Sequence, residues 1–424
     1  MRICLFEDRW EQLEPLSSTR PVFELRAGIT ALGEKQRRWW GASDWGACVR
    51  PALAPLLRRQ YPHTPVNEYG WLLSAPMALV HGRWLPTPRT MPLPEAPCIG
   101  MAGDQIAWAL LADEHLASFQ FDHLPYLLKH WQNTLPCIEV GGQFIDHPWD
   151  LVEHNAAALC DDFIQGAWRE RPSHDDTIAI IGATAKIWIA PTAVIEPFVV
   201  ADTTRGPVVV DEHATVAAFT RLEGPCYIGP HSQIMGAKIR SGTTIGPQCR
   251  IGGEVEACII HGYSNKYHEG FLGHSYVGEW VNLGAGTHNS DLRNDYGPVS
   301  VPMPGHVVKT GRNKVGCFIG DHVKTGLGTL INTGSHLGAF SNILPAGRLA
   351  PKYVPAFTAW WNGQLREEFT MDQLLQTADR MMRRRGQQLT EEHAALYQAL
   401  HDATADHRRD VLEHDEPRLW RRSA

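Results

Sequence analysis

The sequence contains no Cys-x-x-Cys pair; its nine cysteines are scattered from Cys4 to Cys317. The commonest thiolate metal and redox signatures are therefore missing, and reduced, mostly buried thiols are expected. No apolar run reaches the roughly 18 residues of a membrane span. The opening Met-Arg-Ile-Cys-Leu-Phe-Glu-Asp brings charge too early for a secretory leader. These features predict a cytoplasmic protein with no membrane partner. A basic excess is missing too: the formal net charge is -7, which leaves no field to collect nucleic-acid phosphates. A small anionic substrate needs only two or three local cations and stays open.

At 424 residues the chain exceeds what one hydrophobic core usually covers, so two folded parts and an appendage are expected. From about residue 187 an apolar residue recurs at every sixth position. Val210, Val216, Leu222, Ile228 and Ile234 form one register, and Ile239, Ile245 and Ile251 a second. Ile259, Phe271, Val277 and Leu283 form a third, broken at Asn265, and Ile319, Ile331, Leu337 and Ile343 a fourth, broken at Thr325. A period of six fits neither a helix nor a lone strand. It fits a solenoid in which each hexad makes one flat side of a triangular coil, with the aliphatic side chain pointing in and glycine turning the corner at positive φ. The long interruption between Thr287 and Ile319, with Asn-Asp-Tyr-Gly and Pro-Met-Pro-Gly inside it, reads as a loop on one face.

Residues 1–175 lack the repeat. Strand-like runs at Met1–Phe6 and Ala78–Val80 alternate with helical stretches at Gly28–Trp40 and Leu124–Thr134, which predicts α/β layering. The solenoid is expected over 180–355. A helical tail is expected over 364–424, where Met371–Arg385 and Thr390–Leu412 have helical spacing. The basic cluster Arg380–Arg385 reads as a solvated helix face, with a phosphate site as the sharper alternative.

The strings Asn-Lys-Tyr-His-Glu-Gly-Phe-Leu-Gly (265–273) and Val-Gly-Glu-Trp-Val-Asn-Leu-Gly-Ala-Gly-Thr (277–287) resemble the bacterial glucosamine-1-phosphate acetyltransferase/N-acetylglucosamine-1-phosphate uridylyltransferase family. The loop Ser-Asp-Leu-Arg-Asn-Asp-Tyr-Gly and the later Gly-Asp-His-Val-Lys-Thr-Gly are similar to its sugar-nucleotidyltransferase-like branch. The resemblance implies a left-handed parallel β-helix. It places His268 as the base, a role that suits histidine, whose ordinary pKa of about 6.5 lets it accept the proton released on acyl transfer. It implies that Arg240, Phe271, Asn282, Asn294 and Tyr296 meet the acceptor sugar or its phosphate, and that Ala285, Lys324 and Ala339 meet acetyl-CoA, the acyl donor. Two positions depart from the family: Cys258 stands where it has a phosphate-binding Lys, and Phe271 where it has Tyr. Lys266 or Lys324 would restore the lost cation. His268 and His274, six apart, are expected to stack on successive coils. Two imidazoles alone make a poor metal site, so no metal ligands are assigned.

Leu13-Glu-Pro-Leu-Ser-Ser-Thr-Arg-Pro21 and Asp146-His-Pro-Trp-Asp-Leu-Val-Glu-His-Asn155 resemble strings of the sugar-1-phosphate nucleotidyltransferases. They imply a doubly wound α/β nucleotidyltransferase-like domain, with Arg20 and Asp150 as nucleotide-binding candidates and Mg²⁺ as its ion. The chemistry looks eroded. Phe-Glu-Asp-Arg-Trp-Glu replaces the glycine-rich phosphate loop, Val22 replaces a Lys, and Gly82-Arg83 stands where Gly-Asp would hold the metal, with Gly103-Asp104 as an alternative carboxylate.

The expected activity is acetyl-CoA-dependent acyl transfer to an amino sugar phosphate or sugar nucleotide, fused to a nucleotidyltransferase-like domain. A sugar-1-phosphate nucleotidyltransferase making UDP- or dTDP-sugars on a trimerising β-helix is the second reading. A non-catalytic sugar-nucleotide-binding scaffold is the third. The aromatics Phe198, Phe219, Tyr227, Tyr276 and Trp280, taken as an outward row, predict a homotrimer in which His268 and Asn282 face Ala339 of the next chain. The alternative is that they pack beneath other parts of the same chain.

Overall fold

The computed structural model describes residues 1–117, 119–166, 178–345 and 347–413; the expected domain boundary near 175 and the end of the tail lie outside them. Two compact units are present. The first comprises Met1–Trp10, Arg20–Leu25 and Thr30–Asp146, and the second Glu11–Thr19, Arg26–Ile29 and the chain from His147 onward.

The first unit is built on a six-stranded sheet in the order Asp44–Cys48, Arg2–Phe6, Met77–His81, Gln105–Leu111, Cys98–Ala102, Cys137–Glu139. The first three strands are parallel and Gln105–Leu111 runs antiparallel to both neighbours, so the α/β expectation holds with a mixed rather than purely parallel sheet. Met77–His81 is buried at every position, as expected of a strand covered on both faces. The helix Leu32–Trp40 starts four residues later than its apolar pattern suggests and stops at Gly41, whose φ of 61° is the left-handed turn that releases a helix end. Leu124–Thr134 is helical as expected.

The second unit is a parallel β-solenoid. One face (face A) stacks nine parallel strands, from Ile187–Ile189 through Tyr276–Glu279 to Tyr353–Val354. Face B follows along each coil and includes Val194–Ile195, Asn265–Lys266 and Lys324–Thr325. Face C includes Val199–Asp202, Phe271–Gly273 and His288–Asn289. The first, second and fourth sequence registers form the inward column. Each such aliphatic burial is worth roughly 1.5–3 kcal/mol. The third register is displaced by one residue in its first half, while Val277 and Leu283 lie in the core as read. Ile260, not Ile259, pairs with Ile245 and Val277 in the column, and Leu272, not Phe271, points inward. The broken position is Lys266, whose Cα pairs with that of inward Ile251.

Glycine is used differently from the sequence expectation. Gly229, Gly246, Gly278, Gly320 and Gly338 are not the left-handed residues. Those lie two positions on and are large: His231, Gln248, Trp280, His322 and Phe340, with φ of 58–61°. The glycines are required by stacking instead; a Cβ on Gly246 would lie 1.9 Å from the His261 carbonyl oxygen of the next coil. The left-handed rings stack along the edge between faces A and B, with Tyr263–Trp280 at 4.4 Å, His322–Phe340 at 4.5 Å and Phe340–Phe357 at 5.2 Å. Such contacts, about 0.5–1.5 kcal/mol each, offset the ~1–2 kcal/mol cost of each left-handed residue.

The aromatics expected as an outward row divide. Tyr227 is buried with Ile29, Leu159 and Phe163 under the helix Pro148–Gln165. Tyr276 is fully buried, its hydroxyl accepting from the Arg26 backbone N–H at 2.9 Å. Trp280 is buried in the edge ladder. Only Phe198 and Phe219 stay exposed, at 71% and 77%, with rings stacked 5.6 Å apart. They lie on the edge between faces B and C, joined there by exposed Met235, Tyr267 and Leu327.

The insertion after His288–Asn289 forms a hairpin, Ser300–Met303 against His306–Lys309, turning at Pro304–Gly305. The tail helices are Met371–Arg383, Glu391–Ala403 and Ala405–Glu413. Thr370 and Thr390 each cap the helix they precede, worth about 1 kcal/mol apiece. Among the described residues no helix is long and apolar enough to cross a membrane.

Candidate active site

His268 lies in the turn between Asn265–Lys266 on face B and Phe271–Gly273 on face C. Its ring is exposed and meets Tyr267 edge-on at 5.1 Å. The turn is held from inside the coil: Lys266 Nζ donates to the Gly252 carbonyl at 2.8 Å and to the His268 carbonyl at 3.3 Å. Lys266 therefore occupies the place of an inward aliphatic residue, and burial pulls its pKa down to about 8. Ala285 sits one coil further along the same edge, where the Gly286 N–H donates to the Glu269 carbonyl at 3.0 Å.

Asn282 and Lys324 stand in one outward column of face B, with Asn265 on the preceding coil. Asn265 Nδ2 donates to Asn282 Oδ1 at 3.3 Å. Lys324 Nζ donates to the His322 carbonyl at 2.8 Å, and burial pulls its pKa down to about 8. A cavity of about 340 Å³ opens over this column, lined also by Arg380, Arg384 and Arg385 of the tail. The structure thus brings together His268, Ala285, Asn282 and Lys324 along one edge and its adjoining face.

The remaining sugar-site candidates lie elsewhere on this chain. Arg240 leaves the end of a face-C strand and is held by Glu254 at 2.7 Å, and Phe271 stands on face C beside Glu254. Asn294 and Tyr296 are exposed on the insertion that follows face C. Ala339 is fully buried on the edge between faces A and B. Cys258 is buried with its thiol directed to the Glu256 and Leu272 carbonyls, so the family's missing cation has no surface counterpart at that position. His274 does not stack on His268. Six residues are one side of the triangle, so it occupies the next corner of the same coil, where Nδ1 lies 2.7 Å from Asp291 Oδ2. Burial works to raise the Asp291 pKa, and the His274 ring outweighs it, holding the carboxyl below its usual range.

In the first unit Glu7 and Asp8, in the segment that replaces the phosphate loop, are both engaged. Glu7 accepts from the Arg50 backbone at 2.7 Å and from its guanidinium at 3.0 Å. Arg83 is buried and donates to Asp8 at 2.9 Å and to Asp146, which Gln105 also approaches. His81 Nδ1 accepts the Arg83 N–H at 3.2 Å, so Nε2 carries the proton and faces Asp8 Oδ1 at 3.0 Å. Burial alone would raise the Asp8 pKa; His81 and Arg83 outweigh it and hold the carboxyl well below the usual carboxylate range. A guanidinium thus fills the space between the two carboxylates that a divalent ion would need, and Mg²⁺ does not fit these residues as they stand. Gly103-Asp104 is the exposed turn between two strands. Arg20 is buried in this unit, its carbonyl accepting from Arg50 at 3.3 Å. Asp150 belongs to the second unit, where it caps the helix Pro148–Gln165 through the His147 N–H and lies 3.1 Å from Arg312. Among the described residues no three His, Cys, Asp or Glu side chains converge to hold a metal ion.

Residues 3–166 match the family model described as sugar nucleotidyl transferase. Parts of the chain are similar to nucleotidyltransferase/acetyltransferases. A bifunctional sugar-1-phosphate nucleotidylyltransferase/acetyltransferase of Sulfurisphaera tokodaii is 38% identical over 149 residues, covering 33% of this chain and 36% of that protein. The bifunctional protein GlmU of Methanococcus vannielii is 32% identical over 130 residues, 30% of each chain. The GlmU of a Jannaschia species is 40% identical over 105 residues, 23% of this chain and 22% of its own. The chain therefore spans a third or less of the length of most of these relatives.

The sequence reading missed the tail's part in the face-B cavity. Its only signal was the Arg380–Arg385 cluster, because nothing local shows which coil a distant helix covers.

Proposed function

We propose that the protein transfers an acyl group, acetyl in the first instance, from acyl-CoA to the amine of a sugar phosphate or sugar nucleotide. The observation that carries this is the position of His268: exposed on the coil edge, with Ala285 one coil along and Asn282 on the adjoining face. In the reaction the amine nitrogen attacks the thioester carbonyl, the C–S bond breaks, and the proton lost by nitrogen passes to His268. The CoA sulfur leaves as thiolate and takes up a proton. Asn282 supplies a neutral amide that can orient sugar hydroxyls without adding charge. The small Ala285 leaves room for the donor chain. Ala339, buried within its own chain, plays no direct part in this reading.

The site is completed by assembly into a homotrimer. Phe198, Phe219, Met235, Tyr267 and Leu327 run along the same edge as His268, and an apolar row of this kind favours closure around a symmetry axis. The first unit keeps a sugar-nucleotidyltransferase framework, while Arg83 between Asp8 and Asp146 speaks against metal-dependent nucleotidyl transfer there. The test is turnover of acetyl-CoA with amino sugar phosphates by wild type and His268→Ala. A loss of about 10²–10⁴ in rate with the assembly intact is expected; near-wild-type turnover in the variant would overturn the assignment.

A further inference from the structure

The cavity over face B has a one-sided charge. Its lining includes Lys324, Arg380, Arg384 and Arg385 together with Asn265 and Asn282, and no carboxylate. Cations at a helix C-terminus are commonplace because they offset its partial negative charge, and Arg383 illustrates that ordinary case, paired with Asp379 at 2.8 Å on the same helix. Its neighbours behave differently. Arg385 Nη2 turns onto the coil and donates to Asn265 Oδ1 at 2.7 Å. The amide of Asn265 passes this on to Asn282 Oδ1. Arg380 and Arg384 are exposed and face the same cavity. Burial and then the like charges of Arg250 and Arg384 pull the Arg385 pKa below its usual value, and burial does the same to Lys324. Like charges gathered in a partly buried cavity repel one another unless an anion joins them.

We infer that the tail helix Met371–Arg383 and the arginines that follow it close a phosphate-binding pocket over Asn265, Asn282 and Lys324, serving a phosphorylated substrate of acyl transfer. This rests on the acyl-transfer reading for the identity of the ligand, not for the existence of the pocket. Arginine forks match pairs of phosphate oxygens, and four cations suit a phosphate monoester or diphosphate. The pocket is within reach of the base. His268 lies three positions after Asn265, so their Cα atoms are at most about 11 Å apart, a span that a sugar phosphate or the arm of an acyl carrier can bridge.

The test uses the full chain and reads binding directly, without turnover. Titration calorimetry compares wild type, the double variant Arg380→Ala/Arg384→Ala and the control Arg383→Ala. The probes are coenzyme A against 3′-dephospho-coenzyme A, glucosamine 1-phosphate against glucosamine, and inorganic phosphate. The expected result is a loss of at least about tenfold in affinity for one phosphorylated probe in the double variant, with the control and the thermal midpoint unchanged. The pair whose phosphate matters identifies the donor or the acceptor as the source. Wild-type affinity of the double variant for every phosphorylated probe would overturn the inference, as would absence of phosphate-dependent binding in the wild type. A binding loss in a protein that transfers no acetyl group would keep the pocket and remove the reaction. Acetyl transfer unaffected by the double variant, with binding unaffected too, would do the reverse.

Discussion

Lys266 Nζ donates to the carbonyl of His268 from inside the solenoid, at 3.3 Å. An ammonium in a column of aliphatic side chains stabilises one turn and is costly to keep charged. Its pKa falls from 10.5 in the open chain to about 8 in the fold, through burial. Between those values the unfolded chain holds a proton that the folded one has released, so stability rises with pH across that window. Below about pH 8 the full cost of the buried charge is present. Replacing Lys266 by Met removes it. The stability of Lys266→Met relative to wild type should be most favourable at pH 7 and should decline toward pH 10, by up to about 3 kcal/mol. Denaturant titrations of both proteins at the two pH values check this; a pH-independent difference would contradict it.

Arg83→Ala should destabilise the first unit by about 1.5–3 kcal/mol, because it removes a buried side chain and leaves Asp8 and Asp146, 34% and 38% exposed, without their counter-ion. Millimolar Mg²⁺ should then raise the thermal midpoint of the variant and leave that of the wild type unchanged. In parallel, the wild type should release little pyrophosphate from UTP and a sugar 1-phosphate. Robust release would show that a carboxylate outside the Asp8–Arg83–Asp146 group serves the metal.

The apolar edge can be tested at Phe219, which is 77% exposed and stacked on Phe198. Phe219→Glu buries nothing new in the monomer, so the fold should survive. In a trimer it places three carboxylates against apolar neighbours. Sedimentation equilibrium should show a trimer for the wild type and dissociation at micromolar concentration for the variant. A wild-type monomer would remove the proposed interface.

Gly246→Ala should be among the most damaging single-atom changes in the solenoid, at about 3 kcal/mol or more, since the added Cβ would meet the His261 carbonyl at 1.9 Å. Gly305→Ala, at a hairpin turn with φ of 76° and nothing within 4 Å, should cost only the ~1–2 kcal/mol of a left-handed alanine. Equal losses in the two variants would show that conformation, not stacking distance, sets the glycine requirement.

Most of the solenoid could be read in one dimension because each coil packs on its sequence neighbours. A six-residue spacing of Val210, Val216, Leu222, Ile228 and Ile234 is already a statement about the core. Resemblance, not locality, singled out His268 and Asn282, whereas a cap such as Thr370 needs only the next three residues. Where spacing slipped, locality failed by a single residue: Ile259 was read for Ile260, and the buried Lys266 was hidden behind it. The glycines were visible, but their reason was not, because the oxygen that Gly246 must avoid belongs to a coil fifteen residues away.

What lies on the outer faces required the tertiary structure. Tyr227, Tyr276 and Trp280 carry the same apolar surface as Phe198 and Phe219, and composition cannot tell which will be covered. The helix Pro148–Gln165, the segment around Arg26 and the edge ladder decided that. The cavity of Lys324, Arg380, Arg384 and Arg385 is likewise a meeting of segments more than fifty residues apart, and Arg83 acquires its meaning only from Asp8 and Asp146 in distant loops. The sequence alone determines a repeat whose contacts are short-range. Charge pairing and surface burial depend on which remote segment arrives at each face, and chain connectivity leaves that choice to long-range packing.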